Sequence, residues 1–212
     1  MRTWQRLAVI ALCGGALFVG QARSQEKPDK QDGMGDMVAA MKRWMATIKP
    51  NENHKWLEQF VGKWNTTTSM MGMAPGQRVE THGTAEFRMV NGGRILIQEA
   101  KGEMMMPDPT GQMKKIPYEG MGMFGYDVYR HMYTGTWSDT TTTAILQMNG
   151  ALDQAKKTLT FYGPMDEPML GVTARTVKYV FKIESDKKFI FSIYDLHAGE
   201  DYKPLEITYE RQ

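Results

Sequence analysis

Cysteine is almost missing from this chain of 212 residues, and Cys13 is the single exception. One thiol excludes an internal disulfide framework and any thiolate metal cluster. Long apolar runs are scarce too. The stretch from Leu7 to Gly20 is shorter than the roughly 20 apolar residues a helical membrane span requires. Neither charge dominates: 26 Lys and Arg stand against 24 Asp and Glu, and Arg2, Arg6 and Arg23 supply the excess. Such a balance argues against nucleic acid or an anionic membrane as the partner. Short catalytic motifs are absent as well: no Gly-x-Ser-x-Gly elbow, His-Glu-x-x-His helix, phosphate loop or dinucleotide fingerprint occurs. The sequence therefore predicts a non-catalytic protein with no resident cofactor.

What is present begins with an address. Arg2 and Arg6 precede the apolar stretch, and Ala22-Arg23-Ser24 puts small residues at the cleavage-defining positions. Residues 1–24 thus have the anatomy of a signal peptide, with Gln25 opening the mature chain in the periplasm or outside the cell. Ile10-Ala11-Leu12-Cys13 partly imitates a lipobox, but Leu12 is large for its place and the apolar run continues past it. Residues 25–50 combine a polar leader (Glu26, Lys27, Asp29, Lys30, Asp32) with an amphipathic helix over 36–48. Asp36 can cap it, Met37, Met41, Trp44, Met45 and Ile48 form one stripe, and Pro50 closes it. That stripe either packs on the wall of the following domain or engages a protein partner or a membrane surface.

Residues 51–212 form the main domain. A short helix over 53–61 gathers Trp56, Leu57, Phe60 and Val61, and Gly62 suits its C-terminal turn. From there the chain alternates in about ten short segments, with no helical period between them. Strands are expected over 63–71, 77–89, 94–105, 118–127, 130–138, 141–149, 157–163, 173–184, 188–196 and 203–211. Ala74-Pro75-Gly76, Asn91-Gly92-Gly93, Asn149-Gly150, Ser185-Asp186-Lys187 and Ala198-Gly199 carry turn chemistry. Uniform strands at this spacing pair consecutively and lose their edges by closing. The predicted fold is all-β, an up-and-down antiparallel barrel of about ten strands with an N-terminal helical segment. The ninth strand, Phe189-Ile190-Phe191 through Leu196, is apolar on both faces, which makes it the expected seat of the 36–48 helix.

Gly62-Lys63-Trp64 entering the first strand, with Arg211 ending the last, resembles the lipocalin and calycin signature. That resemblance implies that Trp64 packs across the closed end and Arg211 lies over it. A longer series of motifs resembles the DUF1579 family over residues 50–212: His54-Lys55-Trp56-Leu57, Val61-Gly62-Lys63-Trp64, Gly92-Gly93-Arg94, Tyr118-Glu119-Gly120-Met121-Gly122, Gly125-Tyr126-Asp127, Tyr133 through Asp139, and Ile207 through Arg211. The resemblance implies a calycin-like barrel and assigns no activity. Residues 106–117 depart from the family pattern and are expected to form a flap.

Successive turns of such a barrel alternate between its ends. The open end then collects Met70, Met71, Met73, Met104, Met105, Met106, Met113, Met121, Met123, Met165 and Met169. Methionine is flexible and polarizable, so this mouth suits a small hydrophobic ligand, although Met also serves as gap filler. The candidate ligand-binding set is Met71, Met73, Met104, Met106, Met121 and Met123, joined by Arg94, Tyr126, Trp137 and Asp139 from the family-like motifs.

Two metal alternatives stand beside it. Thioethers select Cu(I), so Met121 and Met123 with His82 and His197 could form a copper site. His131 shares strand parity with Tyr133 and Trp137 and could face inward as a haem ligand. Glu99, Glu119, Asp127 and Asp139 are expected as surface carboxylates or partners of Arg88, Arg94 and Arg175. Three classes follow: a container for a small hydrophobic molecule, a copper or haem binder, or a filled barrel that engages a protein.

Overall fold

The computed structural model describes residues 33–72 and 76–212. The segment 1–24 with Cys13, the polar leader up to residue 32, and Met73 lie outside the described residues. The chain divides between Ala40 and Met41, inside helix α1 (Gly33–Thr47), so the part from Met41 onward is described by itself. That part holds α2 (Glu52–Leu57), a 3-10 turn (Glu58–Phe60) and ten strands. The strands are β1 (Gly62–Met71), β2 (Arg78–Val90), β3 (Ile95–Pro107), β4 (Met113–Asp127) and β5 (Met132–Asp139), followed by β6 (Leu146–Leu152), β7 (Thr158–Glu167), β8 (Val172–Ser185), β9 (Lys188–Asp195) and β10 (Leu205–Arg211). Each pairs with its sequence neighbours, and β1 pairs with β10 to close the barrel. Among the described residues no helix is long and apolar enough to cross a membrane.

Helix α2 and the 3-10 turn plug one end. Asn51 caps α2, and its amide donates to His54 Nδ1 at 3.1 Å in a capping box. Trp56 Nε1 donates to the Lys156 carbonyl at 2.9 Å, tying the plug to the β6–β7 turn. Phe60 enters the barrel, where its ring meets Phe189 at 4.9 Å, and Trp64 meets Phe189 at 4.8 Å. Phe189 also stacks on Tyr209 at 4.2 Å. Buried rings in edge and offset contact each add about 0.5–1.5 kcal/mol beyond their burial. The closed half of the barrel is therefore solid.

Three sequence expectations change in detail. The 106–117 segment is no loose flap: Glu103–Pro107 pairs with Met113–Pro117 as a two-stranded arm. Only these two strands pair there, so Pro117, which has no N–H to donate, is tolerated. The sixth strand starts at Leu146, later than expected. Asp139 Oδ1 accepts from the Thr141 amide at 2.8 Å and Thr142 Oγ1 from the Ala144 amide at 3.1 Å. Those local bonds hold the threonine run in a loop.

The third change concerns α1, which buries none of its residues. In the part from Met41 onward, Met41, Trp44 and Met45 are all exposed. The outer face of β9 is instead shielded by its neighbours. Lys178 Nζ lies 4.3 Å over the Tyr194 ring, and Ser192 Oγ donates to Glu206 Oε2 at 3.3 Å. Alkyl stems of long polar side chains cover apolar surface well, which accounts for the shielding of this outer face.

Candidate functional site

Strand register decides which side chains reach the interior. From Trp64 the inward face continues through Ala85, Gln98, Gly122, Trp137 and their alternate neighbours. In the half away from the plug these positions enclose a cavity of about 160 Å³. Phe124, Phe181, Phe191, Ile193, Leu205 and Ile207 supply apolar wall, while Met104, Met148 and Met165 fill the corners.

A few polar groups interrupt that wall. Asp139 is a hub: Oδ2 accepts from Trp137 Nε1 at 2.9 Å and from the Tyr118 hydroxyl at 3.4 Å. Its Oδ1 accepts from the amide and hydroxyl of Thr141 at 2.8 and 2.6 Å. One carboxylate thus joins β4, β5 and the loop that follows. Gln98 Nε2 donates to the Tyr209 hydroxyl at 3.0 Å. Tyr179 is different, because its buried hydroxyl has no hydrogen-bond partner among the described residues.

Burial pushes the Tyr179 phenol up to about 12. Tyr118 is raised above its ordinary value by burial and then by the Asp139 charge, and Tyr209 is raised by burial. All three phenols stay neutral at ordinary pH and so remain donors. Nearer the mouth, Arg175 and Asp195 occupy inward positions and pair at 2.5 Å.

The candidate residues scatter around this cavity. Met104, Trp137 and Asp139 line it. Met106 lies on the same strand face as Met104 but farther out along the arm, and Met71 pairs with Arg78 on the outer face. Met121 and Met123 are 48% and 45% exposed and point outward. Their inward neighbours are Gly120 and Gly122, where a Cβ would come within 2.4 and 2.9 Å of the Trp137 ring. The indole needs that space, so glycine takes the inner positions and methionine the outer ones.

Arg94 and Tyr126 belong to the closed end. Arg94 donates to the Asn91 carbonyl at 3.0 Å and to the Ile48 carbonyl at 2.5 Å. Tyr126 packs on His54 and on Tyr133, with centroids at 5.9 and 4.9 Å. Both hold the plug. Trp64 and Arg211 close the same end, with the guanidinium over the indole.

The copper set does not converge. His82 faces outward on β2, Met121 and Met123 outward on β4 with β3 between them, and His197 lies in the β9–β10 loop. His131 is exposed in the β4–β5 turn, with φ at 56°, and so faces away from the lumen. Among the described residues no group of three or more His, Cys, Asp or Glu could hold a metal ion. The other acids have partners: Glu99 pairs with Arg88 at 3.2 Å and Glu119 with Lys101 at 3.6 Å. Asp127 accepts from the amides of Tyr129 and Arg130.

Sequence reasoning missed Gln98, Tyr118 and Tyr179, as well as the aromatic wall from β8 and β9. A signal existed in strand parity. Gln98 alternates with Leu96 and Ala100, and Tyr179 with Val177 and Phe181, so polar groups at apolar beats mark the site.

The family described as "Protein of unknown function (DUF1579)" matches residues 49–211. None of the curated proteins compared with the chain matches it. Among solved structures, a redesigned β barrel, b11L5F_LGL, is similar at 17% identity and a TM-score of 0.36, covering 74% of this chain and 94% of that one. The redesigned barrel mFAP1, bound to DFHBI, is similar at 17% identity and a TM-score of 0.36, covering 73% of this chain and 97% of that one. The redesigned barrel mFAP0, also bound to DFHBI, stands at 16% identity and a TM-score of 0.34, with coverages of 72% and 99%.

Proposed function

This chain belongs to the DUF1579 family, and we propose that it is an exported container that binds a small hydrophobic molecule in its barrel without chemical turnover. The observation that carries this reading is the cavity, about 160 Å³ enclosed by aromatic and aliphatic side chains in an otherwise packed barrel. Apolar cavities near 150 Å³ admit benzene-sized molecules. Export rests on the signal-like anatomy of residues 1–24.

The test is native mass spectrometry of the protein isolated from its own compartment, followed by denaturation to release what it holds. An apolar molecule of one-ring to small-lipid size is expected. Ile193→Trp, which fills the lumen, should release none while keeping its circular dichroism. Protein that is free of any such mass and takes up no hydrophobic probe would overturn the container.

The exposed stripe of α1 favours a second role beside the first. Trp44 is 57% exposed and Met41 54% exposed, so this helix presents apolar surface to a protein partner. Removing residues 33–47 should abolish such a contact and leave ligand uptake unchanged.

A further inference from the structure

We propose that the cavity takes a neutral, planar molecule about one aromatic ring in size, carrying one hydrogen-bond acceptor that the Tyr179 hydroxyl binds. This inference rests on the container reading and names the class of ligand. Its first support is Tyr179 itself. The residue is 2% exposed, lines the cavity, and has a hydroxyl with no partner among the described residues. A buried hydroxyl without a partner is costly and uncommon. A carbonyl or ether oxygen in the cavity would satisfy it.

Planarity follows from the walls. The Trp137 indole lies against Gly120 and Gly122, where any Cβ would overlap it. That seat presses the ring against one side of the cavity as a flat surface. Phe181 and Phe191 stand in contact with each other at 4.7 Å, and Tyr179 stacks on Phe191 at an interplanar angle of 18°. Rings in such surroundings favour a further ring in offset or edge contact.

Neutrality follows from Asp139, the one charged residue among those lining the cavity. Its two oxygens accept from Trp137, Tyr118 and Thr141, and no cation pairs with it among the described residues. Its carboxylate charge, which also raises the neighbouring Tyr118 phenol, repels a second anion. With its acceptor sites already used, it offers little to a ligand donor. The head group of an anionic amphiphile is therefore disfavoured beside Asp139.

Titration calorimetry with acetophenone, ethylbenzene and benzoate tests the proposal on the wild-type protein and on Tyr179→Phe. Acetophenone carries the acceptor, ethylbenzene matches its shape without one, and benzoate adds the charge. The ratio of acetophenone to ethylbenzene affinity should fall about three- to tenfold in Y179F, the range expected of one hydrogen bond. Ethylbenzene should bind both proteins alike, and benzoate should bind at least about tenfold more weakly than acetophenone.

An unchanged ratio in Y179F would overturn the Tyr179 assignment, and benzoate binding as well as acetophenone would overturn neutrality. If none of the three binds a protein that still releases an apolar mass on denaturation, the one-ring class fails while the container stands. Near-UV circular dichroism of Y179F confirms that its fold is intact.

Discussion

The guanidinium carbon of Arg211 lies 4.2 Å from the centre of the Trp64 ring, where the last strand meets the first. Its nitrogens also donate to the carbonyls of Val61 at 2.7 Å, Gln59 at 2.7 Å and Asp186 at 3.0 Å. One side chain thus ties together the end of the plug, β1 and the β8–β9 turn. Gly62 makes room for it with a φ of 128°, since a Cβ there would sit 2.7 Å from Arg211 Nη1. Arg211→Ala should lower stability by about 1–3 kcal/mol, and Arg211→Lys should recover only part of that. Urea denaturation measures both, and wild-type stability in R211A would show that the clamp contributes nothing.

His54 makes the plug sensitive to mild acid. Burial, followed by the positive charge of Arg94, holds its imidazole below the usual histidine range. Protonation would also take the Nδ1 lone pair that accepts the Asn51 amide. The unfolded chain therefore binds the proton first as pH falls. This contribution to stability is complete above about pH 6.5 and is lost as pH drops through that value toward the lower native one. His54→Gln keeps a capping side chain and should flatten the change in melting temperature between about pH 7.5 and 5. An equally steep decline in H54Q would assign the effect elsewhere.

Gly120 is a packing position. A methyl group there would come within 2.4 Å of Trp137 Cζ2. Gly120→Ala should displace the indole, cost about 1–3 kcal/mol, and disturb the Trp137 bond to Asp139. The expected signature is an altered near-UV tryptophan band together with weaker ligand uptake. A variant with an unchanged band and unchanged binding would show that the ring is not seated as described.

Arg175 and Asp195 form an inward ion pair near the mouth, with side chains 15% and 14% exposed. Asp195→Ala would leave a mostly buried guanidinium unpaired and should cost about 2–4 kcal/mol. The double variant Arg175→Met, Asp195→Leu should recover most of that, because an apolar pair carries no desolvation penalty. A double-mutant cycle in chemical denaturation gives the coupling, and additive losses would rule the pairing out as the cause.

Much of the architecture was legible in the chain. The alternation Val79, Thr81, Ala85, Phe87, Met89 set the inner face of β2, and Asn91-Gly92-Gly93 marked its turn. Trp64 and Arg211 announced the closed end by their motif and meet there. The site was less legible, because methionine at the open end looked like lining while glycine looked like slack. Met121 and Met123 turned outward for a reason no local pattern carries: Trp137, on the next strand, occupies the space inside Gly120 and Gly122.

By itself, then, the sequence determined ten alternating strands, their order and the plug, because strand period, turn chemistry and capping are local properties, whereas the closing contact of Trp64 and Arg211 was implied by the family resemblance. Only the tertiary structure decided which residues share the cavity, that α1 buries nothing, and that the Tyr179 hydroxyl is left without a partner. Those outcomes depend on the register and mutual packing of strands far apart in the chain. A one-residue slip in any of them would have turned a different set of side chains inward.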